Sequence, residues 1–334
     1  MADSSQSASV EISQPPQDAV TNVTFAPVPG DYSLLVSSWD AKVRIYDTAA
    51  DQLKGVHEHK HAVLDCTFLT DSQKCVSGGL STKVLGYDFV AGEESVIGHH
   101  REAVRVLRHQ KSTGLVLSGS WDGTVKAWDT RTKTCTADMQ VDGKVYVLDV
   151  TDDRVVVGTS KKQLLIYDSR NLAQPQTTRD QPLKFQFRCL RCFPDGKGYA
   201  LSSTEGRIAW HYFDQSAESQ ANEYAFKCHR KTVDNVETVY PVHALAFHGI
   251  HGTFASGGGD GMVSVWDGRV KKRLWKIPDL KSSVSSLSFS ADGTRLAISV
   301  SYQWEEGFKD DPPPNQLIVR TLEDVDVRPK EATA

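Results

Sequence analysis

Three residue types that together can run acyl transfer stand near one another in one stretch of the chain: His100, Ser118 and Asp122. A hydroxyl deprotonated by an imidazole, itself oriented by a carboxylate, attacks ester and amide carbonyls, and such triads are recognised by geometry rather than by chain order. Trp128 follows closely and carries an indole N–H that has no task in that chemistry but needs an acceptor if it is buried. The pieces recur, however: His59 precedes Val63 by the same interval at which His100 precedes Val104. A nucleophile is needed once, whereas a structural hydrogen-bond set is needed repeat by repeat. The pattern therefore predicts that removing Ser118 or Asp122 harms stability rather than turnover.

The other reactive residues point the same way. Cys189 and Cys192 form a C-x-x-C within an apolar strand, where a spacing of three turns them to opposite faces of a sheet. A zinc ribbon needs a second such pair and none exists, so core packing is expected and no metal or cofactor is. The six scattered cysteines suit a reducing compartment. No phosphate-cradling glycine loop or paired-carboxylate pattern appears, and Gly257-Gly258-Gly259 reads as a hairpin turn.

These residues sit in a repeated unit. Leu117 to Asp129, LSGSWDGTVKAWD, is two short apolar strands around an Asp-Gly turn, closed by Trp-Asp. Variants appear at Leu35–Asp47, Cys75–Asp88, Val155–Asp168, Leu201–Asp214 and Phe254–Asp267. Asp47, Asp88, Asp129 and Asp168 are separated by about 40 residues each, the period of a four-stranded propeller blade. One hairpin cannot bury both of its faces, but a ring of them can. The fold class is accordingly all-β, a seven-bladed propeller.

Its seven inner strands begin near Val20, Val63, Val104, Val145, Phe187, Val242 and Val284. Residues 1–8 form a flexible leader, 9–325 the single propeller domain, and 326–334 a C-terminal tail. Ser9–Ser13 alternates like a strand but has no blade of its own, so it is expected to pair with the last strand, near 316–322, and close the ring. A charged connection spans 215–236. An acidic, proline-rich insertion at 302–315 interrupts the seventh blade and reads as a mobile surface loop.

At 334 residues and net charge -4 the chain offers no general attraction to nucleic acid or acidic membranes, and it has neither an apolar run long enough to span a bilayer nor a signal peptide. An intracellular, monomeric binding protein is expected. Trp39 and Trp121 occupy equivalent turns on the rim where the second and third strands meet, the top face, and two indoles there suggest a platform for a partner peptide. A second candidate is a concentration of cations: Lys184, Arg188 and Arg191 around the fifth inner strand, Arg207 after the next turn, and Lys227, His229, Arg230 and Lys231 beyond it. Guanidinium and ammonium groups grouped in this way can hold a phosphorylated side chain.

His100, Ser118, Asp122 and Trp128 resemble the hydrogen-bonded tetrad of WD40 proteins. SSWDAKVRIYD, AVLDCTF, KVYVLDV, FQFRCLRCFPDGKGYALSSTEGRIA and YAFKCHR, spread over about Gln14 to Lys330, resemble the WD40 mitotic-checkpoint propellers of the budding-uninhibited-by-benzimidazole group. That resemblance implies a nuclear, kinetochore-associated adaptor without enzymatic activity. It would bind a short motif in the checkpoint kinase and its pseudokinase relative through Trp39, Trp121 and Arg188, and phosphorylated threonine repeats of a kinetochore scaffold protein through Arg207 and Lys227. Two alternatives share the fold. A sister propeller of messenger-RNA export, which binds a nuclear pore protein, also carries YAFKCHR-like segments. Trp128-Asp129-Thr130-Arg131 fits the W-D-x-R pattern of cullin ubiquitin ligase substrate receptors.

Overall fold

The computed structural model describes residues 9–180 and 183–330, so the leader and the last four residues of the expected tail lie outside it. Seven four-stranded antiparallel sheets make the seven blades, and their first strands line a common central channel. The third blade is typical: Val104–Gln110, Leu115–Ser120, Thr124–Asp129 and Thr134–Gln140, in that order from the channel outward. As the sequence predicts, Ser9–Glu11 pairs antiparallel with Gln316–Thr321, placing Val10 opposite Val319 and completing the seventh blade. Chain beginning and chain end thus share one sheet, which leaves no open edge where the ring closes.

The tight top-face turns need one residue in the left-handed region. Gly123, Gly206 and Gly261 supply it at φ 78, 61 and 69°, while Ala41, Thr82 and Lys162 adopt φ 62, 63 and 62° at the same place in blades one, two and four. A glycine triplet is therefore not what makes the sixth turn. Gly257 and Gly258 lie within the strand Phe254–Gly258, and a methyl on Gly257 would collide with Val284 of the next blade.

Burial comes from blade packing on blade. Val76, Val84 and Ile97 of the second blade meet Val104, Leu107, Val116 and Trp128 of the third, all nearly solvent-free. Each such aliphatic side chain contributes about 1.5–3 kcal/mol. Gly98 is part of this fit, since a methyl there would enter the Trp128 ring. Cys189 and Cys192 lie in different inter-blade cores, on the two faces of the fifth sheet.

Three segments differ from expectation. The connection at 215–236 holds a short helix, Ala217–Ala221 capped by Ser216, then the outer strand of the fifth blade, Tyr224–Lys227, and it enters an extra hairpin of Arg230–Val233 and Val236–Val239. The surrounding charge hid the short alternation of those strands. The insertion forms no strand between 302 and 315, yet Tyr302 is buried and its hydroxyl donates to the Gly307 carbonyl at 2.8 Å. Residues 326–330 are packed rather than trailing. Val327 is buried, its carbonyl accepts from Thr253 Oγ1 at 2.7 Å, and the Lys330 N–H reaches Asp267.

Candidate functional site

His100, Ser118, Asp122 and Trp128 come together inside the third blade. Trp128 Nε1 donates to Ser118 Oγ at 2.7 Å, and Ser118 Oγ lies 2.6 Å from His100 Nε2. His100 Nδ1 lies 2.7 Å from Thr124 Oγ1, whose hydroxyl also sits 2.6 Å from Asp122 Oδ1. One proton pattern satisfies the chain: Thr124 donates to the carboxylate, His100 Nδ1–H to Thr124, Ser118 O–H to Nε2, and the indole to Ser118. The imidazole is thereby neutral, and burial pushes its pKa down to about 4. Ser118 has no exposed surface, so this hydroxyl is out of reach of any substrate.

The set is repeated. His229 Nε2 lies 2.8 Å from Ser256 Oγ, which accepts from Trp266 Nε1 at 2.9 Å, and His229 Nδ1 lies 2.8 Å from Asp260. His229 is buried in this role and leaves the group of cations to which its sequence position had assigned it. In blade two His59 and Ser77 make a partial version at 3.0 Å.

The top rim has a strict geometry. In every blade the residue after the second strand donates its N–H to the carbonyl of the residue before the inner strand: Trp39 to Ala19, Leu80 to Ala62, Trp121 to Ala103, Ser160 to Lys144, Thr204 to Gln186, Gly259 to Pro241 and Ser301 to Ser283. Large apolar side chains fill this position only in blades one to three. Trp39 is 45% exposed and Leu80 38% exposed, while Trp121 is half-buried with the Lys144 ammonium 5.6 Å from its ring centroid. The two indoles are therefore not adjacent, because blade two stands between them, with Leu80 in the equivalent position.

A second regularity surrounds the channel mouth. Each inner strand carries a β-bulge just inside its start, at Thr21, Leu64, Arg105, Tyr146, Arg188, His243 and Ser285, and all seven residues line the top of the channel. A bulge re-aims one side chain out of the alternating pattern. Here it turns two guanidinium groups and an imidazole to the mouth. Burial and then the neighbouring Arg105 lower the Arg188 pKa from its ordinary value. Arg188 Nη2 lies 2.8 Å from His243 Nδ1. Sequence reasoning found Arg188 but not Arg105 or His243. The available signal was the position they share, second in the inner strand.

The remaining cations divide. Arg207 and Lys227 are direct cross-strand partners in the third and outer strands of the fifth blade. Lys227 is exposed, and Arg207 Nε sits 3.6 Å from Glu205. Arg191 lies deeper in the channel, in a cavity shared with Arg108 and Asp149. Lys184 is exposed, Arg230 pairs with Glu237 at 3.2 Å, and Lys231 Nζ donates to the Asp260 carbonyl at 2.6 Å. Arg188 lies in the inner strand of the fifth blade and lines the channel, whereas Arg207 and Lys227 lie on its third and outer strands, outside that lining. Arg131 and Arg170 of the W-D-x-R stretches fold back on Asp129 and Asp168, at 3.4 and 2.6 Å.

The family model for "WD domain, G-beta repeat" matches residues 93–129 and 224–267. The chain is 45% identical to the Arabidopsis thaliana protein "Mitotic checkpoint protein BUB3.1", over 97% of this chain and 96% of that one. It is 41% identical to "Mitotic checkpoint protein bub3" of Dictyostelium discoideum, over 98% and 99%. Identity falls to 35%, over 90% and 86%, for "mRNA export factor GLE2" of Chaetomium thermophilum.

Proposed function

The chain belongs to the BUB3 family of mitotic checkpoint WD40 proteins, and from that premise we propose that it is a non-enzymatic adaptor of the spindle assembly checkpoint with two peptide-binding surfaces on its top face. The apolar arc of Trp39, Leu80 and Trp121, continued to Arg188 at the channel mouth, takes a short motif of the checkpoint kinase and of its pseudokinase relative. Arg207 and Lys227 take phosphorylated threonine in the repeats of a kinetochore scaffold protein, and through that contact the adaptor brings the kinase to kinetochores in the mitotic nucleus.

The observation that carries this reading is the asymmetry of the rim. One backbone position repeats in all seven blades, but only blades one to three place a large apolar side chain there. Trp39 and Leu80 leave much of that apolar surface exposed, which suits a partner outside the fold. Exposed indoles are strong interface anchors, and a guanidinium beside an ammonium suits a phosphate dianion.

The test is capture of partners from mitotic extract with and without phosphatase. Loss of the scaffold protein but not of the kinase after phosphatase supports both surfaces. The related export factor keeps a second reading in play, with a nuclear pore protein as the partner. Its recovery in place of the checkpoint kinase would replace the first reading.

A further inference from the structure

Two large rings stand in water on the insertion that interrupts blade seven. Phe308 is 79% exposed and Trp304 48%, and the two stack with their centroids 6.1 Å apart. A single exposed ring is ordinary, but two in contact make an apolar patch of the kind that marks an interaction surface. The segment that carries them is anchored. Trp304 takes φ 61° with its carbonyl accepting from the Gly307 N–H at 3.0 Å, and the Glu305 carboxylate accepts from Ser283 Oγ at 3.0 and 3.2 Å and lies 2.5 Å from His243 Nε2. Beside Trp304 the insertion meets the N-terminal segment: Pro15 and Pro16 on one wall and Pro312, Pro313 and Pro314 on the other enclose, with Trp304, a groove of about 310 Å³. Proline has no N–H, so a guest in this groove is held through side chains and not by adding a strand.

Charge selects the guest. Asp18 lines the groove on the N-terminal wall, and Asp310 and Asp311 run directly into Pro312 on the other. All three are exposed, and among the described residues none makes an ion pair. The one cation of the insertion, Lys309, is already engaged, 2.6 Å from Glu306 and 4.6 Å from the centroid of the Tyr302 ring. We propose that this face of blade seven is a docking surface for an arginine-containing basic segment of a protein partner, with a guanidinium on the Trp304 and Phe308 rings and a neighbouring apolar side chain in the proline groove. A guanidinium is planar and weakly hydrated, so it stacks on an indole more readily than an ammonium does, and the flanking carboxylates raise its local concentration. The surface shares no residue with the two peptide surfaces proposed above and does not depend on them.

The probe follows from the groove: carboxylates on both walls call for an apolar side chain between two guanidinium groups, so acetyl-Arg-Leu-Arg-amide is titrated into nitrogen-15-labelled protein while the indole N–H resonances of the seven tryptophans are recorded. The Trp304 resonance is the one missing from a Trp304→Phe variant. It should shift saturably with the arginine peptide and stay in place with acetyl-Glu-Leu-Glu-amide. Affinity should fall about fivefold in Asp18→Asn with Asp310→Asn and Asp311→Asn, and by a similar factor in Phe308→Ala, which reads the apolar half of the surface separately. Native melting of both variants is checked first. A Trp304 resonance that does not move, an equal shift with the glutamate peptide, or wild-type affinity in either natively folded variant overturns the proposal, and each leaves the top-face reading intact.

Discussion

Leu80 occupies in the second blade the place that Trp39 occupies in the first: each donates its N–H, at 3.0 Å, to the alanine carbonyl that precedes the inner strand. The proposed binding arc therefore includes Leu80, which is 38% exposed at that equivalent position. Leu80→Ser should weaken capture of the kinase motif by about tenfold, as expected for an apolar anchor at an interface, while the melting temperature stays within error of the wild type. Surface plasmon resonance against the immobilised motif measures it. Unchanged affinity would remove Leu80 from the surface.

Ser118 serves two neighbours at once, accepting from Trp128 and donating to His100. Ser118→Ala leaves an indole N–H and an imidazole nitrogen unpaired in a buried site, and should cost about 3 kcal/mol. Urea denaturation reads this directly. A loss under 1 kcal/mol would mean that the tetrad adds little to the fold.

Burial lowers the pKa of His100 and of His59 to about 4, whereas an unfolded chain holds these groups near 6.5. Between those values the unfolded state binds more protons, so stability rises with pH and is lost as pH falls from about 6.5 to 4. Melting temperature should drop steadily across that window and level off above it. His100→Asn should show a shallower slope. A melting temperature flat down to pH 4 would contradict the assignment of a neutral His100.

Thr82 carries a β-branched side chain at φ 63°, in a turn where blades three, five and six use glycine. Left-handed backbone is costly for such a residue, and glycine relieves it at some loss of unfolded-state restriction. Thr82→Gly should stabilise the protein by about 1 kcal/mol in the same denaturation assay. Destabilisation would show that the Thr82 side chain makes up for its strain.

The features legible in the sequence are the local ones. An apolar hairpin, an Asp-Gly turn and an aromatic-Asp stop lie within a dozen residues, so the blade and its period could be read, and the unpaired strand Ser9–Glu11 had one place to go. Trp39 and Trp121 announced themselves by residue type. Leu80 did not, because a leucine beside a strand normally reads as core, and only its rim hydrogen bond sets it apart. Arg105 and His243 were missed because a bulge breaks strand alternation without a sequence mark of its own. His229 was misassigned because a histidine among lysines and an arginine looks solvated, although it packs against Ser256 of the next blade. Glu305 was beyond sequence reading, since its partners are distant along the chain and it lies in a segment without periodicity.

The proposed division of the top face into two surfaces is tested most directly by calorimetric titration of one protein with two peptides, the proposed kinase motif and a phosphothreonine repeat. Trp39→Ala with Trp121→Ala should weaken the motif at least tenfold and spare the phosphopeptide, whereas Arg207→Glu with Lys227→Glu should do the reverse. If either natively folded double variant binds both peptides as the wild type does, or loses both alike, the two-surface account is wrong.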